Sequence, residues 1–166
     1  MFDINNQSQD KIDNYYMQIA LNEAQKAYNE GEIPIGAVLV DKNNNILYKA
    51  HNQTEKFKNI TYHAELIAIN KAIKKLKLKH LYNTNNNYTL YTTLEPCPMC
   101  AGAIMLSKID RIVISAKDPK SGAAGSVLNI LQNPQLNHKC SITFGILENE
   151  SSQILKSFFK SKRIKV

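Results

Sequence analysis

The chain has no hydrophobic run long enough to cross a bilayer. Its longest, Ile33 to Val40, falls far short of the roughly 20 residues a spanning helix needs. The first residues, Met1 to Asn14, are polar and acidic and lack the basic and apolar blocks of a secretory leader. Neither membrane insertion nor export is expected, so the expected location is cytoplasmic. Cysteine is scarce too. Three cysteines cannot all pair within one chain, and two of them form Cys97-Pro-Met-Cys100, a spacing that in a reducing compartment suggests a metal. With 43% hydrophobic and 21% charged residues, the composition is not that of a disordered chain. The 166 residues suit one domain, Met1 to Val166, which can bury about two thirds of its unfolded surface without disulfides.

Acidic residues are outnumbered 14 to 21, a net charge of +7 that favours polyanionic partners. Lysine and asparagine each occur 19 times, so part of the lysine surplus reflects composition alone. The clustering is more informative. Leu66 to Leu94 holds Lys71, Lys74, Lys75, Lys77 and Lys79 with no acid, and Ser151 to Val166 holds five bases with none. Either stretch by itself reads as a solvated helix face, and a binding role needs support from elsewhere.

Periodicity orders the chain. Ile12, Tyr16, Ile19, Ala20, Ala24 and Ala27 recur at helical steps, and Gly31 and Pro34 follow as stops, which predicts a helix over about Asp10 to Glu30. Ile35 to Val40 and Ile46 to Ala50 flank the turn-rich Asp41-Lys-Asn-Asn-Asn45 and predict a hairpin. His63 to about Leu78 reads as a second helix and Asn83 to Asn87 as a break. Then come a strand over Tyr88 to Thr93, a short helix over Cys97 to Leu106, strands over Arg111 to Ser115 and Ile142 to Leu147, and a basic helix from about Glu150 to Lys162. This order predicts an α/β fold, a mixed sheet of about five strands covered by helices. Ala116 to Ser126 is a glycine-containing loop after a strand, a common carrier of function.

Thiolates and imidazole are ligands that zinc prefers, and Cys-x-x-Cys lets two sulfurs reach one tetrahedral ion. Pro96 and Pro98 flank Cys97 at a predicted helix start, where free amides and the positive end of the helix dipole stabilise a thiolate. Alone, the pair could equally be a redox dithiol or half of a zinc ribbon. His63-Ala-Glu65 opens the preceding helix in the same way, so His63, Cys97 and Cys100 can converge on one ion. Residues two apart diverge on a regular helix, so His63 and Glu65 share a site only if they project from the helix end. The ligand count stops at three and leaves a position for water, as catalytic zinc requires. Such zinc lowers the pKa of water from about 15.7 to about 7, and Glu65 is the carboxylate placed to carry the proton. His51, His80 and His138 lack partners at ligand spacing and read as surface or packing residues, and Cys140 as a small buried one.

Histidine-x-glutamate followed by proline-cysteine-x-x-cysteine is the signature of zinc base deaminases. On it the chain resembles the cytidine-deaminase-like superfamily. Nearly its whole length is similar to the bacterial branch that converts the wobble adenosine of tRNA to inosine. Ile33 to Val40, His51-Asn52, His63-Ala-Glu65, Thr93 to Ala103, Lys117-Asp118 and Ser121 to Ser126 carry the likeness in order. The resemblance implies a three-layer fold with a five-stranded mixed sheet, usually homodimeric, and one Zn2+ per chain held by His63, Cys97 and Cys100. It further implies Glu65 as proton shuttle, Asn52 as a partner of the flipped purine, and Asp118 and Lys120 as contacts to the tRNA anticodon stem-loop. An arginine tRNA is the expected substrate and ammonia the second product. Ser121 stands where threonine is common and Lys162 where arginine is common. The first keeps a hydroxyl, whereas the second loses a planar fork.

Two other readings share these residues. A deaminase of free bases, nucleosides or nucleotides would use the same zinc chemistry with little salt dependence of binding. A non-catalytic RNA-binding module would close the zinc with a fourth protein ligand and leave Glu65 without a task. Phe158 and Phe159 fall in the last helix, where spacing to Ile154 and Leu155 puts at least one ring in the core and leaves the other for stacking on a nucleobase.

Overall fold

The computed structural model describes residues 7–81 and 87–163, so most of the predicted break at Asn83 to Asn87 lies outside the described residues. The elements are α1 (Gln9–Asn29), β1 (Gly36–Val40), β2 (Ile46–His51), α2 (Thr54–Phe57), α3 (Ala64–Leu76), β3 (Thr89–Leu94), α4 (Pro98–Leu106), β4 (Arg111–Ala116), β5 (Ser141–Phe144) and α5 (Glu148–Arg163).

The strands form one mixed sheet in the order β2-β1-β3-β4-β5. β1 runs antiparallel to β2 and β3, while β3, β4 and β5 are parallel. Side chains alternate across the sheet with period two, and both faces are buried. Ala37, Leu39, Leu90, Ile112 and Ile114 face Ala64, Ala68, Ile69, Ala72, Ala101 and Ile104 of α3 and α4. Val38, Val40, Tyr91 and Val113 face Tyr16, Met17 and Ala20 of α1. α5 lies against α1, with the Tyr28 and Phe158 rings 5.7 Å apart. The result is the three-layer arrangement, helices on both faces of a five-stranded mixed sheet.

Close approach of α1 to β1 depends on small residues. A Cβ on Gly36 would lie 2.0 Å from Ala20 O and 2.6 Å from Ala24 N, so any side chain there collides with helix backbone. Among the described residues no helix is long and apolar enough to cross a membrane. Both parallel connections leave β3 and β4 at their carboxyl ends, where loops of open α/β sheets gather binding residues.

Candidate functional site

His63 and Cys97 occupy equivalent positions, each capping the start of a helix with extended backbone (φ −76°, ψ 149° and φ −70°, ψ 171°). Because His63 stands outside the helical turn, the divergence of residues two apart on a helix does not apply, and Glu65 can flank it. Pro98 follows Cys97 at the first helical position, where the missing N–H costs nothing. One turn on, Cys100 is buried beneath it.

His63 Nδ1 lies 3.7 Å from Cys97 Sγ and 3.5 Å from Cys100 Sγ, and the three ligand atoms lie within 4.8 Å of one another. A tetrahedral zinc with ordinary bond lengths would set its nitrogen and sulfur ligands about 3.6 Å apart, which matches both nitrogen-to-sulfur distances. The Cys100 hydrogen bond, with help from His63, lowers the Cys97 thiol to about 4, while the Cys97 thiolate and burial push Cys100 up. The bond to Cys97 raises His63 in turn. The pair therefore favours a thiolate at Cys97, with His63 hydrogen-bonded to it.

Glu65 is 3% exposed, and burial holds its carboxyl above the ordinary range. Its Oε2 has no hydrogen-bond partner. A buried orphan oxygen beside a metal-ligand cluster suits a group that exchanges a proton with a bound molecule. Asn52, buried at the end of β2, accepts the Ala64 N–H on Oδ1 at 2.9 Å and donates its own N–H to Ile35 O. It thereby holds the first residue of α3, next to His63. Beside His63, Thr54, Glu55, Lys58, Asn59 and Ile60 line an open depression of about 390 Å³.

Asp118 and Lys120 sit in the segment after β4, which hydrogen-bonds to the Cys97 turn through Ala123 N–H to Pro96 O at 2.8 Å. The Asp118 carboxylate is engaged within the loop. Oδ1 accepts the Lys120 and Ser121 N–H groups at 2.9 and 3.3 Å, and Oδ2 the Ser121 hydroxyl at 2.6 Å. Lys120 is exposed.

Buried Glu32 and Glu95 hold segments around this site, roles that the sequence reading did not assign to either. Glu32 caps α2 by accepting from Thr54 Oγ1 and from the Glu55 and Lys56 N–H groups. Glu95 receives the segment 118–126. His51 lies buried with Nδ1 3.1 Å from Glu23 Oε2, a packing role with a buried carboxylate as partner. His138 contacts Ile109 O at 2.7 Å, and Cys140 is buried and unpaired with another cysteine. Phe158 is 5% exposed and Phe159 45%, which divides the pair into a core ring and an outer one.

Residues 10–116 match the family model described as the cytidine and deoxycytidylate deaminase zinc-binding region. A tRNA-specific adenosine deaminase of Bacillus subtilis (strain 168) is 44% identical over 153 residues, 92% of both chains. One from Aquifex aeolicus (strain VF5) is 44% identical over 149 residues, 90% of this chain and 95% of the relative. A structure solved in a study of A-to-I editing by tRNA:A34 deaminases at the wobble position superimposes with a TM-score of 0.79 at 38% identity, covering 85% of this chain and 99% of the other. A guanine deaminase from Nitrosomonas europaea shares the fold, with a TM-score of 0.71 at 18% identity over 91% of this chain and 84% of its own.

Proposed function

The chain belongs to the zinc-binding cytidine and deoxycytidylate deaminase family, in its tRNA-specific adenosine deaminase branch, and from that membership we propose that it deaminates the wobble adenosine of a tRNA, an arginine tRNA first, to inosine. The observation that carries this reading is the His63, Cys97 and Cys100 cluster with the orphaned Oε2 of buried Glu65 beside it.

In this reading His63, Cys97 and Cys100 hold one zinc ion per chain. When bound, zinc supplies a Lewis acid that makes water nucleophilic near neutral pH. Glu65 takes a proton from the water as it adds to the amine-bearing ring carbon of adenosine and passes it to the adjacent ring nitrogen, then carries the second proton from the new hydroxyl to the amine, so that the C–N bond breaks and ammonia leaves. Burial raises the Glu65 carboxyl, so it holds a transferred proton more readily than an exposed carboxylate would. Asn52, its Oδ1 committed to Ala64, has its amide N–H2 for the flipped purine. Asp118 and Lys120 would meet the anticodon nucleotides, Asp118 by shaping the turn that exposes Lys120. A loop nucleotide suits such a pocket because leaving its stack costs less than leaving a duplex.

The reading also takes residues 1–166 as one domain with a basic last helix, working as a homodimer in the cytoplasm. Three free cysteines support a reducing compartment.

The test uses zinc-loaded protein and an arginine-tRNA anticodon stem-loop bearing a wobble adenosine. Wild-type protein is expected to form inosine, and Glu65→Ala to lose about 10²- to 10⁴-fold in rate while keeping its zinc. Absence of product from the zinc-loaded wild type would defeat the proposal.

A further inference from the structure

Glu95 is 2% exposed, carries a carboxylate, and takes no part in the chemistry above. It lies between β3 and the Cys97 turn, and its N–H donates to Ala116 O at the end of β4 at 2.9 Å. Its side chain accepts four hydrogen bonds from the segment that follows β4. Oε1 accepts the N–H groups of Ala124 and Ser126 at 3.0 and 3.1 Å. Oε2 accepts the Asp118 N–H at 3.0 Å and the Ser126 hydroxyl. An ionised carboxylate has about four acceptor positions, so all are used. One side chain thus ties both ends of 118–126 to the strand that delivers Cys97.

Gly122 closes against the same group. A Cβ there would lie 2.4 Å from both Cδ and Oε2 of Glu95, leaving no room for a methyl. The Asp118 bonds to Lys120 and Ser121 are local and fix only the turn itself. Among the described residues, the hydrogen bonds that fix the segment against the Cys97 turn are those to Glu95 and to Pro96 O.

We infer that Glu95 is a positioning residue for substrate recognition, holding residues 118–126 in the shape that presents Lys120 to RNA, and that it governs affinity for the anticodon loop rather than proton transfer or metal retention. The inference rests on the RNA-substrate reading above and deepens it.

Glu95→Gln discriminates because the amide fits in neither orientation. With its nitrogen at Oε1 it faces two N–H donors, and with its nitrogen at Oε2 it faces the Asp118 N–H, so a buried donor loses its acceptor either way. Ser126→Ala removes one donor of the four. Gly122→Ala removes no polar group; its Cβ would press on the carboxylate and also on Asp118 O at 2.5 Å, so it loosens the segment from both sides.

Zinc-loaded full-length variants are compared for zinc per chain, amide exchange at Asp118, Ala124 and Ser126, and kcat and KM on the stem-loop. Glu95→Gln is expected to keep its zinc, to exchange those amides about tenfold faster and to raise KM about tenfold, with kcat within about twofold. Gly122→Ala should follow it, and Ser126→Ala should raise KM about threefold. If Glu95→Gln fails to fold, these two variants carry the same expectation. Unchanged exchange, unchanged KM with faster exchange, or a fall in kcat or zinc with KM retained would each overturn the inference. Exchange needs no RNA. A wild type that cannot deaminate the stem-loop therefore defeats the substrate reading and the recognition half of the inference, while the amides still report whether Glu95 holds the loop.

Discussion

Asp13 lies inside α1, 1% exposed, with both carboxylate oxygens committed. Arg111 forks onto them at 2.8 and 2.6 Å, and Tyr91 and Gln9 donate to Oδ1 at 2.9 Å. Burial pushes this carboxyl up, but the bonds and charge of Arg111, with Gln9 and Tyr91, outweigh it and hold the carboxyl below its ordinary value. A depressed folded-state pKa contributes stability that is complete above the unfolded value of about 3.9 and is lost as pH falls through the lower folded value. Asp13→Asn is expected to cost about 2 to 3 kcal/mol at pH 7. That is less than a fully buried pair would lose, because the Arg111 side chain is 23% exposed. Urea unfolding at pH 7 and pH 3 should find the gap from wild type narrowing in acid, and a gap that widens would contradict the assignment. Residues of this kind were hidden in the sequence. Asp13, Glu32 and Glu95 bond to groups 22 or more positions away, many of them backbone amides common to every residue. His63, Cys97 and Cys100 were legible because metal chemistry demands particular residue types at particular spacings.

At the scale of elements, patterning located the long helices and central strands and erred where tertiary contacts decide. α2 escaped notice because its four residues bury nothing and its cap, Glu32, comes from 22 positions upstream. The last strand, expected to reach Leu147, stops at Phe144, where Gly145 and Leu147 turn the chain with φ of 90° and 55°. Ile146 and Leu147 still pack beneath the sheet beside Val113, so an apolar run there records burial without strand pairing. α3 ends at Leu76 rather than Leu78 because Lys77 adopts a left-handed cap with φ of 54°. The tight α1–β1 contact makes its own prediction. Gly36→Ala sets a Cβ against helix backbone that cannot swing aside, and is expected to cost about 3 kcal/mol or more or to leave the protein insoluble. Thermal unfolding measures it, and a melting temperature within a degree or two of wild type would refute the close packing.

Across the whole molecule, charge and site share one logic. The surplus of +7 includes Lys156, Lys160, Lys162 and Arg163 on α5, the helix that also exposes Phe159. Phe158 turns inward against Tyr28, which leaves Phe159 as the outer ring. If RNA is the substrate and four or five phosphates are neutralised, log affinity for the stem-loop should fall against log salt with a slope of about −3. A substrate the size of a nucleoside would give a nearly flat line, and titration at several salt concentrations separates the two. The sequence carries this signal as net charge and as clusters along the chain, while the fold decides which lysines share a surface.

The most direct test of the central claim is the coordination shell of zinc in the loaded protein, read by X-ray absorption. The geometry of His63, Cys97 and Cys100 predicts two sulfur ligands at about 2.3 Å, one imidazole nitrogen at about 2.0 Å and a fourth position not supplied by the polypeptide. A shell completed by a fourth protein ligand, or one in which either sulfur is missing, would contradict the account.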